Sequence, residues 1–155
     1  MPKALYWFSL AALVAILDRA SKAAVLESFA FGESRAVTDF FNLVLVFNKG
    51  AAFSFLATAE GWQTFFFATI AVVASLVIGF LILRNAGKKL FSGSLALILG
   101  GALGNLYDRL VYGHVVDFLD FHAAAMHFPA FNVADSAITV GAGILIVESF
   151  IQKQQ

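Results

Sequence analysis

The sequence predicts an all-α membrane protein, a bundle of four transmembrane helices with a small extracytoplasmic β-sheet between helices 1 and 2, in one domain spanning residues 1–155. Three observations predict it. Hydrophobic residues make up 61% of the chain and its mean hydropathy is +0.86, against roughly 45–50% apolar residues in soluble domains. Four apolar runs, at about 4–26, 62–83, 90–107 and 131–151, have the length of membrane spans, for which about 20 residues are needed. Lys3, Arg84, Lys88, Lys89 and Lys153 all fall on one side of the resulting topology.

The first run is unbroken from Ala4 to Leu17, and then Asp18, Arg19 and Lys22 interrupt it before Ala23-Ala24-Val25-Leu26. A cleaved signal peptide is the competing reading, with Lys3 as its basic start and Ser21-Lys22-Ala23 as a poor cleavage site. Charges just before that site argue against it. As one span, the segment sets Asp18 and Lys22 four residues apart on one helix face, where they neutralise each other.

Residues 27–61 form a long mixed connection. Within it Phe40 to Phe47 is β-branched and aromatic and too short to span as a helix, so it reads as a strand of a sheet at the membrane surface. Asn48-Lys49-Gly50 is turn chemistry, and Ala51 to Leu56 a second strand or a re-entrant piece. From local composition alone, Asn48 and Gly50 read as a hairpin turn. The run from Trp62 to Leu83 carries no charge and starts with an interfacial aromatic residue. Arg84, Lys88 and Lys89 flank the turn that follows. In the third run Gly100, Gly101 and Gly104 give a face of small residues that lets another helix approach closely. Residues 108–130 form a second long connection, and the fourth run closes the chain.

The bias of lysine and arginine places both termini and the second connection in the cytoplasm, and the two long connections outside. Several function classes drop out. Formal net charge is zero, so nucleic acid is not an expected partner; there is no cysteine, hence no disulfide, thiol nucleophile or thiolate ligand. His114, His122 and His127 lack the spacing of ligands on one helix face, so no metal is expected. No serine, histidine and acid constellation stands at a loop edge, Ser21-Lys22 diverge on a helix, and Gly100-Gly101-Ala102-Leu103-Gly104 has no following lysine to cradle a phosphate.

What remains is the stretch from Gly100 to Asp135, which holds four of the ten acidic residues, two asparagines and an arginine. Asn132, Asp135, Ser136 and Thr139 fall at helical offsets and form a polar stripe on the fourth run. Such stripes often join helices by hydrogen bonds. A carboxylate is a costly choice for that, at roughly 2.5–3.5 kcal/mol near a span's centre, and a second polar group meeting Asp135 would offset the cost. Asp117, in the apolar frame Val115-Val116-Asp117-Phe118, is the candidate. Two carboxylates brought close share one proton and divide into an acid and a base. Asp108 competes for this part, but the adjacent Arg109 favours its ionised form and a supporting part. Asp120 reads as a solvated loop residue.

Asp18 with Lys22, Asn48-Lys49-Gly50-Ala51-Ala52-Phe53-Ser54, Gly101 through Gly104-Asn105-Leu106-Tyr107-Asp108-Arg109, Val115-Val116-Asp117-Phe118 and Phe131-Asn132-Val133-Ala134-Asp135-Ser136-Ala137-Ile138 together resemble the bacterial lipoprotein signal peptidase family, signal peptidase II. The resemblance covers nearly the whole chain. It implies a four-helix inner-membrane aspartic peptidase, its site near the periplasmic face, that cuts prolipoproteins just before the diacylglyceryl-modified cysteine. Asp117 and Asp135 would be the catalytic pair. Asn48, Gly50, Asn105, Arg109 and Asn132 would bind substrate or orient the pair, while Asp18, Lys22 and Asp108 support it. The implied partners are the lipidated prolipoprotein and membrane lipids, with the chain a monomer; no cofactor is implied. The alternative is a small proton- or ion-coupled transporter. Its relay would be expected at mid-bilayer, whereas these polar residues crowd one leaflet.

Overall fold

The computed structural model describes residues 3–50 and 62–152. Along the chain they form α1 (Lys3–Ser28), β1 (Ser34–Thr38), β2 (Phe41–Asn48), α2 (Trp62–Asn85), α3 (Lys89–Tyr112), β3 (Val115–Ala123), β4 (Met126–His127) and α4 (Val133–Gln152). α2, α3 and residues 133–151 of α4 are each long and apolar enough to cross a membrane. α1 is as long but carries Asp18, Arg19 and Lys22 in its second half. On α2, Phe65 and Leu76 are 77% and 70% exposed, a surface suited to lipid rather than water.

α3 is the central helix and packs against α1, α2 and α4. Between lipid-embedded helices, association rests on close packing rather than on the hydrophobic effect, and the glycines of α3 supply it. A Cβ on Gly100 would stand 2.5 Å from the Ala11 carbonyl of α1, and one on Gly101 would strike the Ala134 carbonyl and Ile138 of α4. At Gly104 it would lie 2.5 Å from the Asp18 carboxylate. Further along, Ala11, Ile82, Leu95, Ala96 and Leu99 bury one another where α1, α2 and α3 meet.

The four strands form one antiparallel sheet in the order β1-β2-β3-β4. It is therefore built from both long connections, with β1 and β2 preceding α2 and β3 and β4 following α3. Val46 lies opposite Asp117, and Phe47 opposite Val116. Beyond the sheet proper, Phe131 bridges to Leu119: its carbonyl accepts the N–H groups of Phe118 (3.0 Å) and Leu119 (2.8 Å). That bridge lays β3 against the residues that begin α4. Val25, Leu45, Val116 and Phe118 form the apolar contact between sheet and helices.

Two details depart from the sequence-based expectation. The sheet is not confined to the connection between helices 1 and 2, because Val115–Ala123 is a strand as well. Its first four residues are all buried, so it lacks the alternation that marks a strand with one wet face. The third helix runs to Tyr112 rather than ending at 107, since the charge of Asp108 is buried and paired and gives the helix no reason to stop. Gly113, in the left-handed region at φ +74°, ends it by donating its N–H to the Arg109 carbonyl at 3.2 Å. The strand expected at Phe40–Phe47 is present as β2, whereas the second one expected at 51–56 lies outside the described residues.

The α3–α4 contact yields a test. Gly101→Ala forces the two helices apart at Ala134 and is expected to destabilise the protein by about 1–3 kcal/mol, read as a lower unfolding midpoint in detergent. An unchanged midpoint would show that this contact is not tight.

Candidate active site

The site is built in layers from α1 outward. At its floor, three fully buried charged side chains meet: Lys22 Nζ lies 2.8 Å from Asp18 Oδ2, 2.8 Å from Asp108 Oδ2 and 2.9 Å from Asn105 Oδ1. An ammonium has three protons, and all three have an oxygen to meet. Two carboxylates against one lysine would still leave a negative charge in an apolar setting. Arg19 supplies the second cation, with Nη1 2.6 Å from Asp108 Oδ1 and Nη2 donating to the Tyr112 hydroxyl at 3.2 Å. Its guanidinium also lies over the Tyr107 ring, 4.3 Å from the centroid.

These carboxylates reach beyond the ion pairs to hold backbone. Asp18 Oδ1 accepts the Ala134 N–H at 2.9 Å, and Asp108 Oδ2 accepts the Val116 N–H at 3.1 Å. Each of those residues immediately precedes one of the two candidate catalytic aspartates. The floor thus fixes the starts of α4 and β3 relative to α1 and α3.

Above it sits a layer of amides. Asn105 accepts from Lys22 and donates Nδ2 to Asp135 Oδ1 at 2.7 Å. Asn132, fully buried, donates Nδ2 to Asp117 Oδ1 at 2.7 Å, with Asn105 Oδ1 and the Val116 carbonyl each 3.2 Å away. Asn132 and Asp135 also close a reciprocal cap on α4. The Asp135 N–H donates to Asn132 Oδ1 at 2.9 Å, and the Asn132 N–H to Asp135 Oδ2 at 3.3 Å, the pattern of a capping box. Asn48, at the end of β2, donates Nδ2 to Asp117 Oδ2 at 3.0 Å, while its Oδ1 accepts the Gly50 N–H at 2.8 Å. Gly50 has φ +100°, and a Cβ there would strike the Phe67 ring. Only glycine fits that turn without strain.

Asp117 and Asp135 are therefore both gripped by Asn132. Burial pushes the Asp117 carboxyl up, to about 7, and the charge of Asp135 pushes the same way; the amides of Asn48 and Asn132 oppose them. Asp135 lines an open groove of about 590 Å³, shared with Asn48, Phe131, Ser136, Thr139 and Val140. The polar stripe read from the sequence on the fourth helix is thus divided. Asn132 faces inward, Ser136 Oγ donates to the Asn132 carbonyl at 2.9 Å, and Asp135, Ser136 and Thr139 border the groove.

Every residue singled out from the sequence joins this connected set, although Arg109 enters it differently from expected. Neighbours on a helix point about 100° apart, so Arg109 does not pair with Asp108. Its Nη1 donates to the Asn105 carbonyl at 3.3 Å, its guanidinium is 5.5 Å from the centre of the Phe67 ring, and its charge interacts with those of Asp135, Asp117 and, less strongly, Asp108. Arg19 is the residue that sequence reasoning missed. Charge accounting would have found it, since Asp18 and Asp108 need two cations and Lys22 is one. The capping box was equally legible in Asn132-Val133-Ala134-Asp135. Asp120 is not a solvated loop residue: it is buried on β3, where Asn42 and His127 hold its carboxylate at 2.9 Å. Among the described residues, no three histidines and acids converge as a metal site would require.

The ion-pair floor predicts an order of effects. Lys22→Met strands the buried Asp18 carboxylate and leaves Asp108 with Arg19 alone, and is expected to cost about 3–5 kcal/mol. Arg19→Gln, at a partly exposed site, is expected to cost about 1 kcal/mol or less. Unfolding midpoints in detergent compare them, and equal losses would contradict the three-way role of Lys22.

Comparison with known proteins places this geometry. A family model described as Signal peptidase (SPase) II matches residues 10–151. The lipoprotein signal peptidase of Burkholderia cenocepacia (strain HI2424) is 61% identical over 142 residues, 92% of this chain and 86% of that protein. The lipoprotein signal peptidase of Burkholderia multivorans (strain ATCC 17616 / 249) is 60% identical over the same length and coverage. Two solved structures described as bacterial membrane enzymes superpose with TM-scores of 0.84 and 0.81, at 29% and 30% identity. The first covers 96% of this chain and 89% of its own, and the second 92% and 91%.

Proposed function

The chain belongs to the signal peptidase II family, and from that premise we propose that it is an aspartic endopeptidase removing signal peptides from diacylglyceryl-modified prolipoproteins, with Asp117 and Asp135 as its catalytic pair. The observation that carries this reading is Asn132. It bonds Asp117 through its side chain and Asp135 through the reciprocal cap, so carboxylates from a strand and a helix are held at one place. A transporter finds no support in the family or in the relatives, and a non-catalytic lipid-binding subunit would need only one such acid.

The roles follow from the surroundings of each acid. Asp135 borders the groove and has the access needed to take a proton from an attacking water. Asp117, buried and raised to about 7, holds the proton to be donated to the scissile carbonyl. General acid and base working together add water across the amide. The gem-diol that forms then collapses without a covalent acyl-enzyme. Arg109 and Asn48, at the edges of the pair, orient the substrate backbone. Asn105, Asp18, Lys22 and Asp108 keep the pair in register.

In the bilayer, α1 is the fourth span beside α2, α3 and α4, with its charges near the outer end. Both termini face the cytoplasm of the bacterial inner membrane, and the sheet and site lie near the periplasmic face. The domain is single, its spans at about 4–26, 62–83, 90–107 and 131–151, the third extended by the end of α3. One chain supplies both acids, so a monomer suffices. The groove opens beside α4, where a signal helix and its acyl chains reach the pair without leaving the lipid.

Asp117→Asn and Asp135→Asn test the pair. Each is expected to lower cleavage of a lipidated precursor by roughly 10²–10⁴-fold with folding preserved, measured by gel shift of precursor to product. A variant that cuts at nearly the parent rate would remove its residue from the chemistry.

The proton on Asp117 makes the alkaline limb of kcat/KM informative. Activity is expected to fall as pH rises through about 7, where Asp117 deprotonates. Asn48→Ala removes an amide that favours the ionised form, so it raises this pKa and moves the limb to higher pH. A limb that stays put or moves down would contradict the assignment of the proton.

A further inference from the structure

Far from Asp117 and Asp135, the first turns of α1 and the α2–α3 turn form an open pocket, a cavity of about 380 Å³ lined by Lys3, Tyr6, Trp7, Ala86, Gly87 and Lys89. Lys3 and Lys22 lie at opposite ends of α1, separated by about 28 Å at 1.5 Å per residue. This cavity therefore has no part in the proposed chemistry.

Its walls are fixed. Trp7 Nε1 donates to the Ala86 carbonyl at 3.0 Å, and the Trp7 ring meets the Tyr6 ring edge-on at 4.7 Å. Ser92 Oγ and the Lys88 N–H both close on the Asn85 carbonyl at 2.8 Å, which holds the turn beneath. Its charge is unmatched. Lys3 and Lys89 are exposed, and among the described residues neither has an ion-pair partner. Lys88 and Arg84 stand nearby, over the rings of Phe91 and Phe80. Glu148, the acid of α4 at this end, does not line the cavity.

Position supplies the remaining argument. The cavity sits where α2 ends and α3 begins, both long enough and apolar enough to cross a membrane, so it lies at the level of lipid headgroups. Tyrosine and tryptophan favour that level, and basic pockets between helices there bind anionic headgroups. Leu83 and Leu90, 61% and 57% exposed, continue the surface on the apolar side. The geometry points to this cavity as a seat for an anionic membrane phospholipid, its phosphate between Lys3 and Lys89 and its acyl chains against the apolar flank. The inference rests on the reading that these helices cross a bilayer, and is independent of which residues cut the substrate.

Trp7 is the reporter. The chain has two tryptophans, so Trp62→Phe leaves Trp7 alone. The full-length protein is placed in phosphatidylcholine nanodiscs containing a minority of either brominated phosphatidylglycerol or brominated phosphatidylcholine. Brominated phosphatidylglycerol is expected to quench Trp7 several-fold more strongly. That preference should fall roughly fivefold for each of Lys3→Gln and Lys89→Gln, persist when both lysines become arginine, and survive millimolar inorganic phosphate. Equal quenching by the two lipids overturns the proposal. So does a preference unchanged in the glutamine variants, lost in the arginine variant, or erased by free phosphate, which would mark a site for small anions. Precursor cleavage by the parent in the same discs separates the two readings: lipid preference without cleavage strikes the peptidase assignment alone, and cleavage without preference strikes this site alone.

Discussion

The three protons of Lys22 hold the architecture of the site together. One ammonium meets Asp18 on its own helix and Asp108 and Asn105 on α3, and Lys22, Asp18 and Asp108 are all fully buried. Two acids buried against one base would be unstable, and the guanidinium of Arg19 brings the set to balance. Buried ion pairs contribute little net stability over an apolar equivalent; what this one supplies is position. Each carboxylate also accepts a backbone N–H, of Ala134 or of Val116, and so sets where α4 and β3 begin.

Position is then converted into acidity. Asp117 sits among opposed influences: burial and the charge of Asp135 favour its neutral form, while the amides of Asn48 and Asn132 favour the charged one. The result, about 7, leaves the group able to hold or release a proton near neutrality, as the general acid we propose must. No cofactor enters this account, because the chemistry needs only two acids that differ in surroundings. Asp135 has the groove on one side and the cap of α4 on the other, whereas Asp117 is buried.

Much of this was legible in the chain. Apolar runs and lysine bias located the helices, because both are one-dimensional properties of the sequence. The cluster from Gly100 to Asp135 stood out because charge beside hydrocarbon is costly. What could not be read was pairing. Arg19 looked like one more charge at the end of a span, and Arg109 looked like the partner of Asp108 because the two are adjacent. A helix turns adjacent side chains apart, and only the approach of α1 to α3 decides which cation reaches which acid. β3 escaped notice for a related reason. A strand covered on both faces shows no alternation, so Val115-Val116-Asp117-Phe118 carried a motif without displaying its secondary structure.

Because β3 is hydrogen-bonded on one side to β2 and on the other to Phe131, the strand that carries Asp117 belongs at once to the outer sheet and to the threshold of α4. Whatever displaces the sheet therefore displaces Asp117, which we propose as one of the two catalytic acids. The sheet and the start of α4 thus share a single seam, and a disturbance of either is transmitted to the carboxylate on it.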